Sequence, residues 1–133
     1  MGQRAPPEVL VVEDQSTTRM AASDAISDTG LHVREAGDAD EALQAMDDYP
    51  DIGVLFTDIQ MPGHMNGLEL AEQVHEDRPD VELIVTSGGT TVKDSELPDS
   101  GTFLSKPYHT SRLVEIVEQK VASRSGESDP LSR

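Results

Sequence analysis

The sequence predicts an α/β fold built on a five-stranded parallel sheet with helices on both faces. Two observations predict this class. Five short apolar runs alternate along the chain with longer stretches, most of which carry apolar residues at helical spacing. Most of the runs are rich in Val, Ile and Leu and lack a polar face, as expected of strands covered by helices on both sides. Repeated strand–helix units favour right-handed crossovers and therefore parallel strands.

The first half of the chain supplies three strands and two helices. The strands are predicted at residues 8–12, 31–36 and 52–57. The second of them is the most polar, which places it nearer a sheet edge. The helices are predicted at residues 16–29 and 38–48. Gly30 is expected to end the first helix, and Asp38 to cap the start of the second.

The second half is predicted to hold two further strands and two further helices. The helices lie at residues 68–77 and 112–122, and the strands at residues 81–86 and 102–105. The connection from 88 to 100 breaks the pattern, because glycines, β-branched residues and Pro98 give it poor helix propensity. We therefore expect the fourth helix to be short or irregular.

The composition indicates one domain at residues 8–122, between a flexible arm at 1–7 and a disordered tail at 123–133. The chain has 133 residues and no cysteine, which excludes disulfides and thiolate metal sites. Its net charge is −16, from 26 acidic and 10 basic side chains, and such a surface repels nucleic acid and anionic lipid. No apolar stretch approaches the roughly 20 residues of a membrane span. We expect a cytoplasmic protein that binds neither nucleic acid nor membrane.

Residues suited to phosphoryl chemistry come directly at the ends of four predicted strands. They are Glu13, Asp14, Asp58, Thr86 and Lys106. Because the carboxyl ends of parallel strands share one edge of a sheet, these side chains should meet in one crevice. Two carboxylates about 4 Å apart repel by roughly 4 kcal/mol at an effective dielectric of 20, so the acidic group requires a counter-ion or raised pKa values. An oxygen-only ligand set favours Mg²⁺, or Mn²⁺, over Zn²⁺.

Four segments together resemble the receiver domain of bacterial two-component response regulators, the CheY-like family. The segments are VLVVED at 9–14, FTDIQMPGHMNGLEL at 56–70, LIVTSG at 83–88 and FLSKPY at 103–108. The resemblance covers residues 8–121 and implies a doubly wound, flavodoxin-like (βα)5 fold. The chain departs from the family pattern in a loop one residue longer, at Gly63-His64, and in a slightly short segment between Thr86 and Lys106.

The resemblance implies a role for each residue of the crevice. Asp58 is expected to accept the phosphoryl group. The expected Mg²⁺ ligands are Asp14 and Asp58 directly, Glu13 through water, and the main-chain carbonyl of Gln60. Lys106, which is expected to contact the phosphoryl group, and Thr86 are expected to be catalytic together with Asp58. Thr86 is also the expected switch hydroxyl, and Phe103 the switch aromatic. The Lys106-Pro107 bond is expected to be cis, and Gln60 and Gly88 to tune hydrolysis.

The function implied is that of a stand-alone receiver, which takes a phosphoryl group from phosphohistidine and signals through protein contacts. Its donor would be a histidine kinase or a histidine phosphotransfer protein, its downstream target is unknown, and it would be a monomer or a phosphorylation-dependent dimer. It would catalyse its own phosphorylation and dephosphorylation rather than turn over a substrate. The alternatives are a receiver-fold interaction module and the detached receiver of a hybrid kinase. An aspartate-nucleophile phosphatase is disfavoured, because the position for its second carboxylate holds Gln60.

Overall fold

A computed structural model of the protein describes residues 6–89, 91–98 and 101–125. The sheet has five parallel strands in the order β2-β1-β3-β4-β5. The strands are β1 Glu8–Val12, β2 Val33–Ala36, β3 Ile52–Asp58, β4 Glu82–Ser87 and β5 Thr102–Ser105. The helices are α1 Ser16–Ser27, α2 Ala39–Asp48, α3 Gly67–Asp77 and α4 Thr110–Ser125. This strand order is that of flavodoxin-like folds, so the predicted class is confirmed, with the polar strand β2 at an edge.

Two apolar layers enclose the sheet. One contains α2 and α3, which bury residues such as Ala42 and Leu70 against one face. The other contains α1 and α4, which bury residues such as Ile26 and Leu113 against the opposite face. The central strand β3 is buried at all seven positions, which explains its continuous apolar sequence.

The strand register aligns the ends of the strands along one edge. Val12 of β1 lies opposite Thr57 of β3. Asp58 then lies opposite Thr86 of β4, and Ser87 lies opposite Ser105 of β5. The residues that follow β1 and β5 therefore reach the same edge as Asp58.

The segment from residue 88 to residue 101, which we call the β4–β5 connection, contains one 3-10 turn at Asp94–Glu96 among its described residues. Val92 and Leu97 are buried and anchor it to the layer of α2 and α3. The Asp94 Oδ1 atom accepts a hydrogen bond from the main-chain N–H of Phe103, at 2.8 Å. The strand–helix alternation would place a fourth helix in this connection. The described residues form a short, irregular element instead, as the low helix propensity of the segment predicted.

Most predicted element ends lie within two residues of those observed. Asp38 caps α2 as predicted, since its side chain accepts from the Glu41 main-chain N–H at 2.9 Å. Helix α4 is longer than predicted and continues to Ser125, so residues 123–125 of the predicted tail are helical. The rest of that tail, and residues 1–5 of the predicted arm, lie outside the described residues. Within the described ranges, no helix is both long and apolar enough to cross a membrane.

Candidate functional site

Asp58 is the last residue of β3, and both of its carboxylate oxygens have a hydrogen-bond partner. Its Oδ2 atom accepts from Lys106 Nζ at 2.8 Å. Its Oδ1 atom accepts from the main-chain N–H of Gln60 at 3.2 Å. The residue is only 4% exposed. Asp58 is therefore held in one orientation at the end of a rigid strand, as a nucleophilic or ligating carboxylate must be.

Lys106 follows β5 and bridges two carboxylates. Its Nζ atom lies 2.8 Å from Asp58 Oδ2 and 3.0 Å from Glu13 Oε1. Burial lowers the pKa of Lys106, but the hydrogen bonds and charges of Asp58 and Glu13 outweigh burial and the pKa is raised. The ammonium group is thus firmly charged and acts as an internal counter-ion for the two acids.

Glu13 and Asp14 follow β1 and differ in their environment. Glu13 is 4% exposed and its Oε2 atom accepts from the Gln15 main-chain N–H at 3.1 Å, whereas Asp14 is exposed. Burial raises the pKa of Glu13, against the opposing effect of its hydrogen bonds to Gln15 and Lys106. Glu13 therefore takes up a proton more readily than an ordinary glutamate does.

The three acids form one group that could hold a metal ion. One ligand oxygen each from Glu13, Asp14 and Asp58 lies within 4.8 Å of the others. Lys106 supplies one positive charge against these three carboxylates, so the group keeps an excess of negative charge. All three donors are carboxylate oxygens, which suits a hard divalent cation. We call Glu13, Asp14, Asp58 and Lys106 the acidic crevice.

Thr86 of β4 lies opposite Asp58, and Phe103 lies on β5, three residues before Lys106. The Thr86 hydroxyl is buried and donates to the main-chain carbonyl of Leu104 at 2.5 Å. Phe103 is partly buried and packs against the layer of α2 and α3. The Thr86 hydroxyl is therefore engaged with β5 in this structure. The Lys106-Pro107 peptide bond is cis.

The sequence matches the response regulator receiver domain family over residues 9–118. The chain belongs to that family. It is 34% identical over 127 residues to the chemotaxis protein CheY homolog of Campylobacter jejuni, a match that covers 90% of this chain and 96% of that protein. It is 32% identical over 114 residues to the response regulator receiver protein CpdR of Brucella abortus, which covers 84% of this chain and 93% of that protein.

A solved structure supports the same assignment. The crystal structure of a response regulator receiver protein from Pseudomonas putida has a TM-score of 0.78 and 30% identity, covering 88% of this chain and 99% of that chain. Two longer relatives, both transcriptional regulators, are matched over only 26% and 24% of their lengths. As a receiver domain, the chain belongs to a class that interacts with histidine kinases and downstream targets.

Two features of this receiver site were not predicted from the sequence. Gly67 opens α3 directly against β3, where an added Cβ would overlap the main-chain oxygen of Asp58. Ser87 donates from its hydroxyl to Gln60 Oε1 at 2.9 Å. The capping box of Asn66 and Glu69 marks the start of α3 in the sequence, but not the contact of Gly67 with β3. The second depends on two side chains on different segments, for which the sequence has no signal.

Proposed function

We propose that the chain is a Mg²⁺-dependent phosphoryl acceptor of a two-component phosphorelay, in which Asp58 takes a phosphoryl group from phosphohistidine. The proposal rests above all on the position of Asp58, which ends a buried strand within an acidic group and in contact with one lysine. A scaffold protein has no use for three neighbouring carboxylates that repel one another. The fold alone would not distinguish a phosphoryl acceptor from a scaffold protein.

The acidic crevice fits the proposed cation. Asp14 and Asp58 would bind Mg²⁺ directly, Glu13 would bind through water, and the main-chain carbonyl of Gln60 would complete the protein ligands. When bound, Mg²⁺ (or Mn²⁺) neutralises negative charge on the phosphoryl group during transfer. Asp14 is exposed, so a cation that it binds would be reached from solvent.

The transfer itself is performed by Asp58. A carboxylate oxygen of Asp58 attacks phosphorus, the bond from phosphorus to the imidazole nitrogen breaks, and the histidine leaves as neutral imidazole after taking up a proton. Lys106 already contacts Asp58 Oδ2 and would transfer its hydrogen bonds to the phosphoryl oxygens. Hydrolysis of the acyl phosphate by water then regenerates the carboxylate.

The signal would follow from a competition for the Thr86 hydroxyl. To reach the phosphoryl group, Thr86 has to release the carbonyl of Leu104, which changes the packing between β4 and β5. Phe103 would then turn inward and alter the surface that a protein partner recognises. The proposed donor is a histidine kinase or a histidine phosphotransfer protein in the cytoplasm. The receiver would act as a monomer or as a phosphorylation-dependent dimer on a downstream protein.

Phosphorylation by a small donor tests the role of Asp58. Incubation with phosphoramidate or acetyl phosphate and Mg²⁺ should add one phosphoryl group, measured by intact mass. Asp58→Asn should abolish the addition, whereas Asp47→Asn, at an exposed position on α2, should leave it intact. Undiminished labelling of the Asp58→Asn variant would remove Asp58 from its proposed role.

Thermal unfolding with and without Mg²⁺ tests the metal site. A ligand that binds only the folded protein stabilises it by about 1.4 kcal/mol at ten times its dissociation constant. The wild type should therefore melt at a higher temperature with Mg²⁺, and Asp14→Asn should lose most of this shift. An interaction module without phosphorylation would show no shift in either protein.

A further inference from the structure

The side chain of Gln60 is held by Ser87, although Gln60 is exposed and could adopt many rotamers. The Ser87 hydroxyl donates to Gln60 Oε1 at 2.9 Å, and accepts from the Gly89 main-chain N–H at 3.2 Å. Ser87 is itself only 1% exposed. A buried hydroxyl, fixed by a main-chain donor, therefore sets the orientation of an exposed amide.

Gln60 is thus held at two points next to the proposed acceptor. Its main-chain N–H donates to Asp58 Oδ1 at 3.2 Å, and its side chain is bound to Ser87. Ser87 directly follows Thr86, which lies opposite Asp58 in the sheet. The Gln60 side chain therefore crosses from the loop after β3 to the end of β4, beside the carboxylate that would carry the phosphoryl group.

The direction of the Ser87–Gln60 hydrogen bond has a chemical consequence. Because Oε1 accepts from Ser87, the amide presents its NH₂ group on the other side, where Nε2 lies 3.9 Å from the position of a Cβ at Gly89. An amide NH₂ group only donates hydrogen bonds. It can contact a phosphoryl oxygen, but it cannot accept a hydrogen bond from an attacking water.

We propose that Ser87 is a positioning residue that prolongs the lifetime of the acyl phosphate by holding the Gln60 amide across this side of the crevice. The inference rests on the proposed function of Asp58. In hydrolysis, a water oxygen attacks phosphorus, the bond between phosphorus and the Asp58 oxygen breaks, and inorganic phosphate carries away the protons of the water. With Ser87 in place, Gln60 narrows the approach of that water and offers it no acceptor.

The test measures the decay of the phosphorylated protein. The receiver is phosphorylated with phosphoramidate and Mg²⁺, the donor is removed, and loss of the phosphoryl group is followed by intact mass. Loss of one hydrogen bond should make hydrolysis about three- to tenfold faster in Ser87→Ala. Ser87→Thr keeps the hydroxyl and should decay at nearly the wild-type rate. Gln60→Ala breaks the same contact at an exposed position that folding tolerates, and should decay as fast as Ser87→Ala.

The double variant separates a positioning role from a structural one. If Ser87 acts through Gln60, adding Ser87→Ala to Gln60→Ala should cause no further acceleration. Equal decay of Ser87→Ala, Gln60→Ala and wild type would overturn the inference, as would acceleration by Ser87→Ala that persists in full without Gln60. In both cases phosphorylation of Asp58 itself would stand. Failure of the wild type to acquire any phosphoryl group would instead overturn the proposed function, and this inference with it.

Discussion

The acidic crevice and the β4–β5 connection, which begins beside it at Gly88, are held by different kinds of contact. The crevice residues end or directly follow strands that are held by ladder hydrogen bonds, and two of these strands, β1 and β3, are almost entirely buried. The described part of the connection is held by two buried apolar residues, Val92 and Leu97, and by the hydrogen bond from Phe103 to Asp94. The chemistry of this receiver therefore depends on the regular part of the fold, and the adjacent surface on an irregular part.

This difference predicts which changes each region tolerates. A change that moves the end of β3 should disturb both stability and phosphorylation, because Asp58 belongs to the sheet. A change in the connection should lower stability but leave the acceptor chemistry in place, since no crevice side chain is hydrogen-bonded to a described residue of the connection. The following four substitutions are ordered by the expected change in the free energy of unfolding.

Gly67→Ala, beside the acidic crevice, should lower the free energy of unfolding the most. The new Cβ would overlap the main-chain oxygen of Asp58 and lie 2.7 Å from its carbonyl carbon. Backbone atoms cannot rotate away, so we expect a loss near the upper end of the overpacking range, about 3 kcal/mol. Urea unfolding measures the loss, and phosphoramidate labelling should show slower phosphorylation because Asp58 is displaced.

Gly89→Ala is the matched control for this substitution. Gly89 is exposed, and a Cβ there would lie at an ordinary 3.9 Å from Gln60 Nε2. Its stability should therefore stay close to that of the wild type. Equal stability of the Gly67→Ala variant and the wild type would show that α3 can move away from β3, and that the crevice is less rigid than its contacts indicate.

Leu97→Ala should have the largest effect within the β4–β5 connection. Leu97 is 5% exposed in the apolar layer of α2 and α3, and its truncation leaves a cavity. We expect a loss of about 2 kcal/mol, at the low end of the range for such substitutions, because an irregular segment can partly collapse into the space. Ser95→Ala, at an exposed position of the 3-10 turn, should leave stability unchanged.

Phosphorylation should distinguish the variant in the connection, Leu97→Ala, from the variant beside the crevice, Gly67→Ala. Leu97→Ala should still accept a phosphoryl group at the wild-type level under conditions where it is folded. Loss of labelling in folded Leu97→Ala protein would mean that the connection helps to position the crevice, and the distinction between the two regions would fail.

The crevice was predictable from the sequence because its residues lie at or directly after the ends of apolar runs. Parallel strands bring their carboxyl ends together, so the positions of Asp58 and Lys106 followed from the pattern alone. The irregular connection was also predictable, from poor helix propensity. The Ser87–Gln60 hydrogen bond was not, because it depends on two rotamers on segments 27 residues apart. The contact of Gly67 with β3 likewise depends on the path of a loop, which periodicity does not describe.

Asp94→Ala should lower the free energy of unfolding moderately, through a contact between the β4–β5 connection and β5. It removes the acceptor for the Phe103 main-chain N–H, and loss of one such hydrogen bond costs about 1 kcal/mol. Hydrogen exchange should become faster at the Phe103 amide. Asp94→Asn retains an acceptor oxygen and should keep most of the protection. Unchanged exchange in Asp94→Ala would show that β5 holds this amide without the connection.

Glu13→Gln should change the free energy of unfolding the least, and should raise it rather than lower it. Because burial raises the pKa of Glu13 above its ordinary 4.5, the folded protein binds that proton more tightly than the unfolded chain does. The stability from this group is therefore complete below pH 4.5 and is lost as the pH rises through the raised pKa. In the presence of a chelator at pH 7, the neutral variant should be more stable than the wild type by less than about 1 kcal/mol.

The pH dependence identifies the cause of this gain. The advantage of Glu13→Gln should disappear as the pH falls below 4.5, where Glu13 is protonated in both states. Glu118→Gln, at an exposed position on α4, should show no such pattern. A loss of stability in Glu13→Gln at pH 7 would mean that the ion pair with Lys106 outweighs the cost of burying the carboxylate. A gain would mean that the acidic crevice keeps a charge at the expense of folding, whereas the charged residues described in the β4–β5 connection, Lys93, Asp94 and Glu96, are exposed.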